Sequence, residues 1–243
     1  MNELIQELET RFDGSFDNPC ESNHELPHIH KNVEIEGRDF RIFDWEYYAD
    51  TLGFCPADDE VSKAITVNGT WEPHITKLFD DLIAKPIPHI VVDIGSHVGW
   101  YSTRAIAAGY DVIAIEANAE YLNATRHNCD YSDNLHAVQG WVGRMVPLET
   151  EPFPIGLMKI DIEGNEIFAI EMFRPWFEQR LVKNLIMEVS PVFNDTYPVL
   201  IKTLLGFGYR AFNAEHLDEE WTLENLGTNL AAIHQCDLLF VAP

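Results

Sequence analysis

The feature that most constrains this chain is a rhythm running from residue 89 to its end, in which short apolar runs finishing near an acidic residue alternate with stretches of helical spacing. A run of four to eight apolar residues bounded by turn signals reads as a strand buried on both faces, and its alternation with helices specifies a mostly parallel sheet. Strands fall at 89–95, 111–117, 136–142, 156–162, 184–190, 209–214 and 236–242, and helices fit 98–108, 119–129, 165–173 and 196–206. The segment 215–235 has too little apolar periodicity for a crossover helix, so the last strand is expected to run antiparallel. The expected fold class is α/β and Rossmann-like: seven strands, mostly parallel, with helices on both faces.

Upstream of this core the pattern differs. Leu4, Ile5 and Leu8 recur at helical spacing in an acidic stretch over 1–11, whereas Gly14, Asn18, Pro19 and Pro27 break any period over 12–31. Alternation at Val33 and Ile35, a turn at Gly37, and then Phe40, Ile42 and Phe43 predict a hairpin. An acidic cap opens a helix over 58–68, and Pro73 sits in the first turn of another over 72–84. Residues 1–84 therefore read as an accessory segment packed on a core of 85–243. With 46% hydrophobic residues in 243, there is ample material for one large core.

Charge narrows the partners. Sixteen Lys and Arg against 40 Asp and Glu give a formal charge of -24, which repels phosphate backbones and anionic lipid head groups, so a small-molecule or carbohydrate substrate is expected rather than a nucleic acid or a membrane. Cys20, Cys55, Cys129 and Cys236 form no C-x-x-C pair and read as reduced thiols. The acidic start lacks the basic and apolar regions of a leader, and no later segment is apolar for long enough to span a membrane, so a cytoplasmic location is expected. His24, His28 and His30 cluster in an irregular segment without a fourth ligand, which argues against a metal there.

The chemistry concentrates where the first core strand ends. In Ile90-Val91-Val92-Asp93-Ile94-Gly95-Ser96-His97-Val98-Gly99 an apolar strand reaches Asp93, the chain turns at Gly95, and a helix begins near Val98. Such a turn presents a close-approach glycine and backbone amides to a small polar cofactor. A dinucleotide site wants G-x-G-x-x-G, and this D-x-G-x-x-x-G lacks the second glycine; Asp93 would sit badly beside a diphosphate but can act on the cationic methionine portion of S-adenosylmethionine. Glu116, ending the second strand, is placed to accept both ribose hydroxyls, with Ala117 beside it. After the third strand, Trp141 or the Val142 backbone could flank the adenine, core packing of Trp141 being the alternative.

The fourth strand delivers Lys159-Ile160-Asp161-Ile162-Glu163-Gly164 and the fifth delivers Glu188 to the same rim. Acids gathered there are costly unless solvated, bonded or used. Asp161, Glu163 and Glu188 could position a substrate hydroxyl or, as a lesser alternative, hold a divalent cation. Glu166 reads as a helix-capping acid.

DIGSHVGWYS, IEAN, KIDIEGNE and IMEVSP, in this order and spacing over 61–190, resemble the FkbM-type methyltransferases, whose members O-methylate hydroxyls of natural products and sugars. The resemblance implies that Asp93, Gly95 and Gly99 shape the S-adenosylmethionine pocket, that Glu116 binds ribose, and that Asp161 and Glu163 face cofactor or substrate; Ser96 and His97, in the same loop, are further cofactor-binding candidates. It also makes Glu72, in the Trp71-Glu72 pair ahead of the first strand, a rim candidate for the substrate. The chain departs from the family pattern at Glu116-Ala117-Asn118-Ala119, where E-P-N-P is common, and at Ser190, where a histidine often follows the fifth-strand acid.

Methyl transfer to a hydroxyl needs in-line positioning and gains from a base, for which His97, Asp161 and Glu163 are the candidates. His97 can instead bond the loop backbone. A nicotinamide oxidoreductase and a non-catalytic cofactor-binding module are the competing functions.

Overall fold

The computed structural model describes residues 1–12, 30–44, 59–143, 146–191 and 195–243. Cys20, Cys55, His24 and His28 lie outside the described residues, as does most of the irregular stretch expected at 12–31.

The chain begins with α1 (Asn2–Arg11) and a hairpin of β1 (His30–Ile35) and β2 (Arg38–Phe43), followed by α2 (Glu60–Asn68) and α3 (Pro73–Ile83). The core runs β3 (Ile90–Ile94), α4 (Trp100–Ala107), β4 (Asp111–Glu116), α5 (Ala119–Asn128), β5 (Leu135–Gln139), β6 (Ile155–Ile160), α6 (Glu166–Met172), α7 (Arg174–Glu178), β7 (Val182–Val189), α8 (Tyr197–Gly206), β8 (Arg210–Asn213), β9 (Glu220–Trp221), α9 (Leu226–Ala232) and β10 (Cys236–Val241). The strands order as β5-β4-β3-β6-β7-β10-β8-β9, and β10 lies antiparallel between β7 and β8.

This is the expected α/β sheet with its reversed final strand, enlarged by a two-residue edge strand, β9. Two expectations need adjusting. The third strand ends at Gln139 rather than 142, so Trp141 and Val142 lie in the connection beyond it. The segment 215–235, whose periodicity is weak because it lies at the sheet edge with little to bury, contains β9 and α9.

Successive side chains on a strand face opposite ways. Val92, Ile94, Met158, Ile160, Leu185 and Met187 face one cluster with α1, α6, α7 and α8, while Val91, Val112, Leu157, Ile186 and Leu239 face the other with the hairpin, α2, α3, α4 and α5. Asn128 fastens the hairpin to the core by exchanging two hydrogen bonds with the Arg41 backbone and donating to the Val98 carbonyl at 2.7 Å.

A parallel connection usually carries a helix, yet none occurs among the described residues between β5 and β6. The first helix of the chain occupies that face instead. Leu4, Ile5 and Leu8 bury themselves beside Val138, Val142 and Leu148, each such side chain contributing on the order of 2 kcal/mol. The polar side of α1 is bonded to the helix-free connection: Glu7 accepts from the amides of Glu149 and Thr150 and from the Thr150 hydroxyl, and Arg11 donates to the Val146 and Pro147 carbonyls. Burial opposes the Glu7 charge, but the hydrogen bonds from Thr150 and Glu149 outweigh it and hold the carboxyl below its ordinary range.

Glu7→Ala should cost about 2 kcal/mol at neutral pH, lowering Tm by roughly 5 °C in thermal melts. Because the folded-state value is depressed, the stabilisation is present above the ordinary glutamate range and is lost as pH falls through the folded value; the gap between variant and wild type should therefore narrow in acid.

Candidate functional site

The site grows from the pleat of the sheet. Asp93 pairs with Lys159, and Lys159 with Ile186, so these residues share the face covered by α3 and α4. One pleat further toward the carboxyl edge, the same face carries Glu116 on β4, Gly95 after β3, Asp161 after β6, Glu188 on β7 and Asp237 on β10, the last two directly opposed. The apolar layer beneath ends in a row of carboxylates with one glycine gap.

That gap is compulsory. Gly95 has a φ of 83°, and a Cβ there would stand 1.9 Å from the Asp161 carbonyl oxygen. Gly99, with a φ of 81°, meets Thr125 in the same way at 2.8 Å. Four of the five amides from Gly95 to Gly99 are already used: Gly95 and Ser96 donate to the Ile115 carbonyl, His97 donates to Glu116 Oε2 at 2.9 Å, and Gly99 donates to Ser96 O. Glu116 also accepts from the Asn118 amide at 2.8 Å, so one carboxylate ties the loop to the end of β4 while its remaining lone pairs stay free for donors.

Asp93 is 1% exposed and fills the N-terminus of α4, accepting from the Ser102 hydroxyl at 2.6 Å and from the Ser102 amide. Burial raises its pKa to about 6, tempered by the Ser102 bonds and the nearby Lys159. A helix N-terminus in this position commonly receives phosphate; here the protein's own carboxylate occupies it.

Lys159, 3% exposed, is the hub of the acidic row. Its ammonium lies 2.8 Å from Asp161 and 4.0 Å from Glu72 and stands over the Tyr101 ring, 4.8 Å from the centroid. Tyr101 donates to Glu72 at 2.7 Å. Burial works against the ammonium, but Asp161, Glu72, Tyr101 and Asp237 outweigh it and hold the Lys159 pKa well above the ordinary value. Glu72 reaches the cluster from a left-handed backbone, φ 38°, at the start of α3, a conformation costly for a residue with a side chain and common at functional sites. Its pKa is raised by burial and by Asp161, against the pull of Lys159 and Tyr101.

Glu188 is 5% exposed; one oxygen accepts from Gln235 and the other is sealed without a partner. Burial first, and then Asp161, Glu163 and Asp237, push it up to about 8. Asp237 Oδ1 is likewise sealed and unpartnered, and burial, opposed by Lys159 and reinforced by Glu72 and Asp161, raises that carboxyl to about 7.

The remaining expected residues are placed differently. Glu163 is exposed in a left-handed turn, φ 54°, with its pKa raised by burial and by Asp161 and Glu166. Glu166, read as a capping acid, is fully buried and braces that turn, accepting from the Ile162 and Gly164 amides and from the Tyr197 hydroxyl. The His97 ring packs 3.7 Å from the Tyr121 ring, with Nε2 3.4 Å from Asp59. Ala117 follows Glu116 half-buried, and Ser96 is buried with its hydroxyl unpartnered. Trp141 and Val142 line a cavity of about 550 Å³ with Phe12, Arg11 and Met172 on the α1 side. Among the described residues no group of three or more His, Cys, Asp and Glu side chains is arranged to hold a metal ion, so the divalent-cation alternative gains no ligand set. No helix among them is long and apolar enough to cross a membrane.

Three members of the site were missed from the sequence: Lys159, Tyr101 and Asp237. Lys159 had a signal, a lone cation in an apolar strand whose buried charge demands partners. Asp237 had a subtler one, because in a reversed strand the acid that reaches the carboxyl edge of its parallel neighbours stands at the strand's beginning, not its end.

No family model and no curated protein matches the chain. Among solved structures it is similar to a TehB-like SAM-dependent methyltransferase from Corynebacterium glutamicum (12% identity, 82% of this chain and 97% of that one, TM-score 0.49). It is also similar to a precorrin-6y C5,15-methyltransferase from Geobacter metallireducens (15%, 69% and 86%, 0.43) and to an O-methyltransferase from Bacillus cereus in complex with SAH (13%, 81% and 96%, 0.40). Likenesses this distant say nothing of what this chain binds.

Lys159→Met should strand the surrounding carboxylates and cost about 3–5 kcal/mol near neutral pH, read as a fall in the denaturation midpoint. Lys159 lowers the values of Asp237 and Asp93, so without it these acids take up protons at higher pH, and the deficit should shrink as pH is lowered toward about 7 and about 6, their values with the lysine in place. Gly95→Ala should disrupt the loop more locally, displacing Asp161 from it; loss of the Asp161 and His97 amide resonance positions in an otherwise native spectrum would show this.

Proposed function

We propose that the chain is an S-adenosylmethionine-dependent methyltransferase of FkbM type, transferring a methyl group to a hydroxyl of a small molecule or sugar. The single observation that carries the reading is the occupation of the α4 N-terminus by the Asp93 carboxylate. With that position negative, and with four loop amides committed to Ile115, Glu116 and Ser96, a pyrophosphate finds neither the charge nor the donors it requires, which argues against a nicotinamide dinucleotide. A sulfonium nucleoside meets the opposite situation: its cation would enter the negative field of the inward-turned Asp93 and of Asp161, and its ribose hydroxyls can donate to the unused lone pairs of Glu116.

In this reading Gly95 and Gly99 let the cofactor approach the backbone, Ser96 and Ala117 border it, and Trp141 and Val142 flank the adenine. Asp161 stands between cofactor and acceptor, and Glu72, Glu163 and Glu188 bound the acceptor side. Residues 1–84 act as an accessory segment that contributes Glu72 to the core of 85–243. His97 serves the loop rather than the chemistry, since its ring is engaged by Tyr121 and Asp59. Catalysis rests chiefly on in-line positioning of the acceptor oxygen behind the methyl group in a partly desolvated crevice.

Calorimetric titration tests this directly: S-adenosylmethionine and S-adenosylhomocysteine should bind, NAD should not, and Glu116→Ala should weaken binding by at least about tenfold through loss of charge-assisted hydrogen bonds. NAD binding in the absence of S-adenosylhomocysteine binding would overturn the assignment.

A further inference from the structure

We infer that Asp237, at the start of the reversed strand β10 and facing Glu188 across the ladder, is the catalytic residue that takes the acceptor's proton during methyl transfer. The inference rests on the methyltransferase reading and adds a residue that neither the chain's motifs nor that reading supplies.

Position comes first. Asp237 and Glu188 are directly opposed in an antiparallel pair, which points both side chains to one face of the sheet. That face and that edge also carry Asp161 and the Gly95 turn, so for a nucleoside that Gly95 and Asp161 would hold, Glu188 and Asp237 are the next carboxylates along the row and would border an acceptor brought up from the β7 and β10 side.

The other groups on the row are committed. Asp161 is ion-paired to Lys159 at 2.8 Å, and taking a proton would break that pair. Glu72 is held by the Tyr101 hydroxyl. Lys159 is a fully charged ammonium with no lone pair to offer. Glu188 accepts from Gln235 and is held largely protonated at neutral pH by its surroundings. Asp237 is the exception in that its carboxylate accepts no hydrogen bond from the described residues: Oδ1 is sealed from water without a donor, as one Glu188 oxygen is, and the residue stands in the field of one cation and several acids.

The groups acting on it are Lys159 and Asp161 from β6, Glu72 from the start of α3, Tyr101 from α4, Glu188 from β7, Glu215 beyond β8, and Cys236 beside it. Burial and the acids together oppose ionisation, Lys159 favours it, and the resulting value of about 7 is the one at which a base is both available and strong enough near neutrality. Glu188, protonated opposite it, can donate to the acceptor or to the carboxylate.

The step balances without further reagents. A lone pair of the acceptor oxygen forms the new C–O bond as the methyl C–S bond breaks, and that bonding pair discharges the sulfonium to neutral S-adenosylhomocysteine. The O–H bonding pair remains on oxygen, and its proton passes to the Asp237 carboxylate, which later returns it to solvent.

Two measurements test the proposal. In the first, wild type and Asp237→Asn are incubated with methyl-labelled S-adenosylmethionine and a small-molecule extract of the source cells between pH 6 and 9, and labelled products other than the remaining S-adenosylmethionine are counted. Wild-type transfer should rise with a midpoint near 7, while the variant should lose about 10²- to 10³-fold and its pH dependence, with calorimetric affinity for S-adenosylhomocysteine within about twofold of wild type. Transfer by the variant at the wild-type rate or with the wild-type profile overturns the inference, as does a large loss of S-adenosylhomocysteine affinity.

The second needs no acceptor. Carboxyl-¹³C NMR of the protein labelled in aspartate, with Asp237 assigned by its disappearance in the variant, should show it titrating near neutrality; titration in the ordinary aspartate range would refute the role even if the extract held no acceptor. Failure of the wild type to bind S-adenosylhomocysteine at all is a separate result, which removes the cofactor assignment itself.

Discussion

One buried ammonium organises the carboxyl edge of this sheet. Lys159 is the sole cation that the described structure places within the row of acids ending β6, β7 and β10, and it is 3% exposed. An isolated ammonium could not remain charged at that depth. Asp161, Glu72 and the Tyr101 ring keep it so, and in return its ammonium gives the Asp161 carboxylate an ion-pair partner at 2.8 Å. The charges do not cancel: one ammonium stands against Asp161, Glu72, Glu188 and Asp237, and the excess of acid is what raises the pKa values of Glu72, Glu188 and Asp237 beyond the effect of burial.

The glycine turn and the lysine cluster are mechanically joined. Gly95 packs against the carbonyl of Asp161, whose side chain grips Lys159, whose other partner, Glu72, is delivered by a strained residue at the start of α3. The glycine turn and the acidic cluster are thus adjacent parts of one bonded assembly, with the strain at Glu72 offset by its contacts with Tyr101 and Lys159.

On the opposite face, α1 compensates for a connection between β5 and β6 that lacks a helix. The sheet would otherwise expose Val138 and the apolar residues of that connection, and Glu7 would have no amides to receive. A segment that looks peripheral along the chain is therefore part of the main apolar cluster, which explains why a weakly amphipathic run of ten residues is helical at all: isolated helices of that length are marginal, and tertiary burial supplies the difference.

Much of this was legible before any coordinates. Apolar runs ending in acids gave the strands, the weak segment before the last strand gave its reversal, and Asp93, Gly95, Glu116, Asp161 and Glu188 could be placed on one rim because parallel strands all present their final residues to the same edge. The pleat then fixed which face each occupied. What the tertiary structure alone decided was contact: that Asp93 turns inward to Ser102 rather than outward, that His97 is absorbed by Tyr121 and Asp59, that Glu166 is a brace, and that Asp237 joins the row from a strand running the other way. Periodicity is a local property of the chain and survives in the sequence, whereas the partner of a buried charge comes from residues far apart, such as Glu72, Lys159 and Asp237, and exists only once the strands have been laid side by side.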